Sequence, residues 1–438
     1  FKQKTAYEIM PSLVGSEMCI RDRVIRDPIH GYIEIDELAI AIIDTVEMQR
    51  LRRITQLGFS YLVYPGATHT RFEHSLGTYH LMNVLLDTLK VAKEEAKELI
   101  VASLIHDIGH GPYSHVIEPV IKKYTGKSHE DIEDIIFNPE AKPSKTIAEV
   151  LEVHRLDKVK IMGYIKGERT EYRADRDFSR ILNGEIDVDR MDYLVRDSYY
   201  TGVAYGVVDN IRLIQGLGFF DGSLVITEKG ILPAEYLLFS RFLMYPTVYY
   251  HHTSRIAQLM FSKAVEDFIE SSKEHPRQCA LVIRKMDDSE INIALRNAKG
   301  YPKEMITMIN ERRLFKRAVY TGVNELDESV AAELSDEKRR REIEVEISKR
   351  VGMDENYVIL DFQGKNGEEL KESAAKVVVD KPLRGRRQSE RELRSLREVS
   401  SLVSMLSRAY QENYKVGVYT PEKYRGEVEK AARKVLWR

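Results

Sequence analysis

The chain has 438 residues, enough for one large domain or two to three smaller ones with ample surface to bury a core. Its 67 Lys and Arg stand against 69 Asp and Glu, which argues against a nucleic-acid coat or a polybasic membrane anchor, and apolar runs such as Leu99–Ile105 are far too short to span a bilayer. Two cysteines, Cys19 and Cys279, exclude a disulfide framework and a cysteine-based zinc knuckle, so a reducing cytoplasm is the default location.

The stretch from Phe1 to about Arg21 has neither helical nor strand periodicity and lacks the apolar core of a signal peptide. Its wording, FKQKTAYEIMPSLVGSEMCIRD, resembles translated sequencing-adapter sequence, so residues 1–23 are expected to be a non-native leader. From Val24 to Ile35 two β-rich runs flank Asp27-Pro28-Ile29-His30-Gly31, which predicts a small hairpin. Leu38, Ile42, Ile43 and Val46 then recur at helical spacing, as do Tyr79, Met82, Leu85, Leu86 and Leu89, and again Ala96, Leu99, Ala102 (or Ser103), Ile105 and Ile108. Asp221-Gly222, set between Phe219-Phe220 and Leu224-Val225-Ile226-Thr227, predicts a second hairpin, and the chain to about Ile283 reads as helix. Beyond Asp287 charge dominates, in Lys338-Arg339-Arg340-Arg341 and then in Lys381, Arg384, Arg386, Arg387, Arg391, Arg394 and Arg397, partly balanced by Glu390, Glu392 and Glu398. Such runs are more often solvated helix faces or linkers than polyanion sites. The expected fold class is mainly α, with a helical core and small β-hairpins over 24–285 and a mixed α/β, highly charged C-terminal region over 286–438.

Seven of the twelve histidines, His69, His74, His80, His106, His110, His115 and His129, fall within 61 residues. In LIVASLIHDIGHGPYSH, His106 and Asp107 are adjacent and His110 follows His106 by four, which predicts one shared helical face. Gly109 and Gly111-Pro112 end that helix and allow close approach of backbone or ligand. Alone, a His-Asp pair reads as a satisfied helix end. Its company changes the reading, because Arg71-Phe72-Glu73-His74 precedes it and Asp187-Val188-Asp189-Arg190-Met191-Asp192-Tyr193 follows. Imidazole and carboxylate together suit a divalent ion such as Mn, Fe, Co or Zn better than an all-oxygen calcium site.

This combination resembles the HD-domain phosphohydrolases. More closely, DPIHGYIEI, QRLRRITQLGFSYLVYPGATHTRFEHSLGTYHL, LIHDIGHGPYSH and DVDRMDYLVRD look like the SAM-and-HD-domain deoxynucleoside triphosphate triphosphohydrolases, over residues 24 to about 320. The resemblance implies that His74, His106, Asp107 and Asp189 hold a divalent metal (Mn, Fe, Mg, Co or Zn), with positions open for water and phosphate oxygen. It implies His110 and His129 as the acid/base pair that orients the nucleophile and His115 near the leaving oxygen, with Glu118 where the family usually has Asp. Arg71, Arg190, Arg241 and Tyr193 match phosphate contacts, Arg190 standing where some relatives have Lys. Leu57 and Tyr249 match the wall that rejects a 2′-hydroxyl, while Gln56 and Asp197 match residues that hold the 3′-hydroxyl. The implied reaction cleaves several deoxynucleoside triphosphates to deoxynucleoside plus inorganic triphosphate.

Relatives are often switched on by guanine nucleotides that bridge subunits into a tetramer. Asp44, Gln49 and Arg52 match the guanine-recognising residues, and Arg212, Lys229, Arg312 and Lys316 match basic residues near activator phosphates, so GTP or dGTP is an expected activator and a dimer or tetramer an expected assembly. Arg26 occupies a position that is commonly Asn in the family. No sterile-alpha-motif domain fits before residue 24, so assembly would rest on the HD core and a C-terminal regulatory and oligomerisation region. Two other readings stay open: an HD phosphohydrolase acting on monophosphates, ribonucleoside triphosphates or alarmones, and a non-catalytic protein that binds nucleotide or single-stranded nucleic acid through Arg384 to Arg397, the nucleic-acid partner being the less favoured.

Overall fold

Strands β1 (Arg23–Asp27) and β2 (Gly31–Ile35) pair antiparallel with Asp27 opposite Gly31, so the first hairpin forms about its turn residues. The Asp27 carboxylate closes the turn by accepting from the backbone N–H groups of Ile29 and His30, and Gly31 takes a φ of +74°. The computed structural model describes residues 23–136, 145–168, 176–363, 374–382 and 389–437. The expected leader up to residue 22, with Cys19, and Arg384, Arg386 and Arg387 of the basic run lie outside the described residues.

Short helices Glu37–Ile43 and Val46–Arg50 lead to the central helix Arg71–Thr88, which opens on a capping box between Thr70 and Glu73. Next to it lies the helix Lys97–Ile105, buried at every residue from Leu99 to Ile105. There the structure corrects one expectation. The α-helix stops at Ile105, residues 106–109 wind into a tighter 3₁₀ turn, and His110 is extended with φ −66° and ψ 134°. His106 and His110 therefore do not share a helical face; Gly109, Gly111 and Pro112 cannot sustain the helix past the histidine.

The helix Val188–Thr201 crosses the central helix, and Gly77 lets it come close. A Cβ on Gly77 would lie 1.8 Å from Asp192 Oδ1 and 2.5 Å from an Arg196 nitrogen. Gly77→Ala is accordingly expected to destabilise the fold by about 1–3 kcal/mol or more, as overpacking does, and to lower the midpoint of thermal unfolding.

Strands β3 (Leu217–Phe220) and β4 (Ser223–Ile226) form the second expected hairpin, with Asp221 at φ +48° and Gly222 at +73°, the double left-handed turn that two-residue hairpins favour. The later strands are β5 (Lys316–Gly322), β6 (Ile359–Gln363), β7 (Lys376–Pro382), β8 (Ser389–Ser395) and β9 (Lys415–Thr420). They build two small sheets. One runs β3-β4-β7-β8, bringing late chain back onto the hairpin; the other runs β5-β9-β6 and is antiparallel throughout. The protein is thus mainly α with small sheets and a mixed α/β C-terminal part.

Three apolar clusters result. The first spans β2, the central helices and the helix Ile231–Met244, and takes in Val377, Leu396 and Val403 from the returning chain. A second packs Phe59 and Tyr113 against the helices His252–Glu270, Pro276–Lys285, Asp288–Asn297 and Tyr301–Asn310. The third lies between the β5-β9-β6 sheet and the helices Glu337–Val351 and Arg425–Leu436. Among the described residues no helix is long and apolar enough to cross a membrane.

Candidate active site

His74 and His106 turn their Nε2 atoms toward each other at 3.3 Å. Asp189 Oδ1 lies 2.9 Å from the first and 3.7 Å from the second, while Asp107 offers its oxygens at 3.7 and 3.4 Å. Each ring's other nitrogen faces an acceptor: His74 Nδ1 the Asp192 carboxylate at 2.7 Å, and His106 Nδ1 the Ser103 carbonyl at 2.9 Å. Both Nδ1 atoms therefore carry hydrogen, and the two Nε2 atoms with Asp107 form one group that could hold an ion, with Asp189 Oδ1 beside the histidines. Nitrogens at about 2.0–2.1 Å from a shared tetrahedral ion stand roughly 3.3 Å apart, so the donor set fits a divalent metal. Burial opposes charge on His74, yet the Asp189 and Asp192 carboxylates with the Asp107 charge push its pKa up to about 10, so the pocket demands a positive charge. His74, His106 and Asp107 are buried, whereas Asp189 is half-buried and marks the open side.

Behind His74 lies a buried charged chain that local pattern does not announce. Asp192 accepts from Arg196 and also faces His30 Nε2 at 2.6 Å, while Arg196 reaches back to Asp27 of the first hairpin at 2.8 Å. Asp27 in turn holds the backbone of His30, so the hairpin braces the ligand.

Arg71, at the start of the central helix, donates to Asp107 at 2.9 Å and to Ser114 Oγ at 2.8 Å. Burial would raise the Asp107 carboxyl, but Arg71, His106 and His110 hold it well below the usual carboxylate range. Tyr113 and Ser114 are both left-handed, at φ 55° and 58°, an uncommon pair for side chains with a Cβ. Asp288 pins this turn, accepting from Tyr113 N at 2.6 Å and from Thr55 N and Oγ1 at 3.0 and 2.8 Å.

A second group abuts the first. His110 Nε2 lies 3.3 Å from Asp107 Oδ1, and the His110 ring stacks on His129 with centroids 4.2 Å apart and planes within 10°. Glu118 spans His129 Nδ1 at 2.5 Å and His115 Nδ1 at 2.9 Å, so its longer side chain reaches both histidines. Burial, then the charges of Arg71 and His129, keep His110 neutral. Burial also opposes charge on His129, but Glu118 outweighs it and raises the pKa. The stack thus pairs a neutral imidazole with a readily protonated one. His110, His115, Glu118 and His129 also lie close enough to hold an ion, but parallel stacked rings aim the His110 and His129 lone pairs side by side rather than at one point.

Several of the residues expected around sugar and phosphates contact one another or the metal-site histidines. Asp197 accepts from Tyr249 OH at 2.8 Å and faces His69 Nε2 at 2.7 Å, and Gln56 is tied by its backbone N–H to the His69 carbonyl. Tyr249 ends a π-helical turn, Tyr245–Tyr249, opened where Pro246 cannot donate a helical hydrogen bond. Leu57 is half-buried beside Gln56. Tyr193 lies edge-on to both His74 and Tyr249, and burial pushes its hydroxyl pKa up. Arg241 donates to Tyr245 OH at 2.9 Å, whereas Arg190 rests on Asp187 and the Gly184 carbonyl. His69 and Tyr200, which stack at 4.5 Å, received no role from the sequence; the signal was His69's place two residues before Arg71.

The expected activator residues fall on separate elements. Arg52 donates to Gln49 at 3.0 Å and lies 3.6 Å over the Phe72 ring, and Asp44 is near enough to act on its charge. Arg212 and Lys229 are exposed on adjoining segments near the second hairpin, and Arg312 and Lys316 flank the turn into β5.

Family models agree with this geometry. The HD domain model matches residues 71–197, and the HD associated region matches 208–437, more than half the chain. An uncharacterized protein of Methanocaldococcus jannaschii is 35% identical over 339 residues, 76% of this chain and 68% of its own length. The deoxynucleoside triphosphate triphosphohydrolase SAMHD1 homolog of Dictyostelium discoideum is 29% identical over 67% of this chain, which spans only 59% of that relative's length. The crystal structure of a phosphohydrolase from Bacteroides thetaiotaomicron superposes with a TM-score of 0.69 at 27% identity, covering 91% of this chain and all of that one.

Proposed function

Since the chain belongs to the HD-domain family and carries its HD-associated region, a background that supports a hydrolase, we propose that it hydrolyses deoxynucleoside triphosphates to deoxynucleoside and inorganic triphosphate. One observation carries the reading: the convergent His74, His106, Asp107 and Asp189 donors share Asp107 with the stacked His110–His129 pair, so a cation site and an acid/base pair meet at one carboxylate.

His74, His106, Asp107 and Asp189 would hold a divalent ion, which when bound neutralises phosphoryl charge and acidifies water. Around it the chain's own groups divide the work. Neutral His110 can accept a proton from water, and His129, its charge supported by Glu118, can hold one. His115, exposed and held by Glu118, would give a proton to the leaving oxygen. Arg71 and Arg241 supply fixed positive charge for the phosphates. Tyr249 and Asp197, locked together, offer a wall and an acceptor to the sugar; a 2′-hydroxyl entering there would lose water without gaining a partner. Asp44, Gln49 and Arg52 would take a guanine nucleotide as activator.

The test is product identity. Purified protein with Mn²⁺ or Mg²⁺, offered each deoxynucleoside triphosphate with and without GTP, should release inorganic triphosphate; release of orthophosphate or pyrophosphate alone sinks the reading.

The acid/base assignment makes a pH prediction. Glu118 raises the His129 pKa, so Glu118→Gln should lower it and move the alkaline limb of the kcat/KM profile to lower pH. The same pair stabilises the fold over a bounded window. Glu118's lowered pKa makes its share present above the usual carboxylate range, and His129's raised pKa makes its share vanish as pH climbs through that raised value.

A further inference from the structure

Arg284 lies in the last turn of the helix Pro276–Lys285, more than 150 residues along the chain from His110 and His129, and its side chain is almost fully buried. Buried arginines are usually answered by a carboxylate. Arg284 has one, Asp134 Oδ1 at 2.8 Å, but it spends its other donors on backbone carbonyls: Gly109 at 3.4 Å, Ser128 at 2.9 Å and Asp131 at 2.5 Å. Gly109 immediately precedes His110 and Ser128 immediately precedes His129. One rigid guanidinium therefore spans the two loops that carry the stacked imidazoles.

Two further observations converge on the same contact. Arg50, half-buried, donates to the Ile108 and His110 carbonyls at 2.6 and 2.9 Å and to Met286 at 3.0 Å, so two arginines together hold the carbonyls of residues 108, 109 and 110. A Cβ at Gly109 would come within 1.8 Å of the His129 carbonyl, so the two loops touch along bare backbone with no side chain to set their spacing.

We propose that Arg284 is a positioning residue that fixes the separation and parallel stacking of His110 and His129 through the carbonyls preceding them. The inference deepens the hydrolase reading and rests on it for its kinetic consequence, but the stack itself is a structural claim that stands apart. The guanidinium fork is what the role requires, because an ammonium can keep the ion pair to Asp134 without reaching both loops.

Arg284→Lys tests this, since it keeps the charge at Asp134 and so favours a folded protein; Arg284→Gln, with two donors and no charge, is the second variant. Stacked rings shield each other's protons, so histidine-labelled protein reports the stack by NMR without any substrate. In both variants the His110 and His129 ring protons should shift downfield, with bound metal per chain unchanged by elemental analysis. Turnover should fall by about 10–100-fold, the loss expected for displacing a catalytic group by about 1 Å, while KM changes less than about threefold. Unmoved ring signals in folded Arg284→Lys overturn the proposal, as does a kcat equal to wild type. Loss of metal in step with activity overturns it too, because Arg284 would then support the metal centre instead. If the wild-type protein releases no triphosphate, the hydrolase reading fails, and the ring shifts alone decide the role of Arg284.

Discussion

Asp107→Ala should abolish metal retention, cut triphosphate release by more than about 1,000-fold and destabilise the protein in a single step. Asp107 stands between both halves of the site, within 3.7 Å of His74, 3.4 Å of His106 and 3.3 Å of His110, and it is bonded to Arg71 at 2.9 Å. Without it the convergent Nε2 atoms lose an anionic partner, and a bound ion would gain less than its dehydration costs. Several kcal/mol of charge stabilisation are at stake, each ~1.4 kcal/mol being a factor of ten in rate. Stability falls for another reason. Arg71 is buried, and taking away its carboxylate leaves an uncompensated charge worth about 3–5 kcal/mol. Elemental analysis, triphosphate release and a denaturant titration read the three effects separately; a variant that keeps its metal places the ion elsewhere.

Asp192→Ala should come second in severity although Asp192 faces away from the substrate. Its carboxylate holds the Nδ1 hydrogen of His74, accepts from the fully buried Arg196 and meets His30, so one deletion takes a partner from three groups. Removal of such an outer partner lowers metal affinity by roughly 10–100-fold, and a buried arginine left with Asp27 alone adds about 3–5 kcal/mol of instability. Asp192→Asn separates the two effects. The amide oxygen can still accept from His74, so metal affinity should recover part of the loss, while the missing charge beside Arg196 keeps the denaturant midpoint low. Equal metal affinity in wild type and Asp192→Ala would mean that His74 needs no outer partner.

The contrast between these residues shows what could be read in advance. His74, His106, Asp107 and Asp189 lie in contiguous motifs, and both hairpins announce themselves through Asp27 to Gly31 and Asp221-Gly222, where local turn chemistry decides the structure. Partners across long stretches of chain carry no such mark. His30 finds Asp192, Arg284 finds Gly109 and Ser128, and Asp288 finds Tyr113, each contact existing only because packed helices bring distant segments together. Helical spacing misplaced His110 because periodicity cannot register a helix that tightens into a 3₁₀ turn within one residue of its histidine. The return of β7 and β8 onto the second hairpin was hidden for a similar reason: charged strand sequence looks like solvated helix until its pairing partner is known.

The β5-β9-β6 sheet bears on how the protein is made. Its middle strand is the last of the three to be synthesised, and Tyr419 within it joins Arg255 on Asp361, tying sheet to helix. Among the described residues β9 is the strand that pairs with both β5 and β6, so while the ribosome is still translating the intervening segments these two present bare edges of the kind that recruit foreign strands. Nascent chains stalled before residue 415 should therefore lean on chaperones, and release from them should coincide with the emergence of β9.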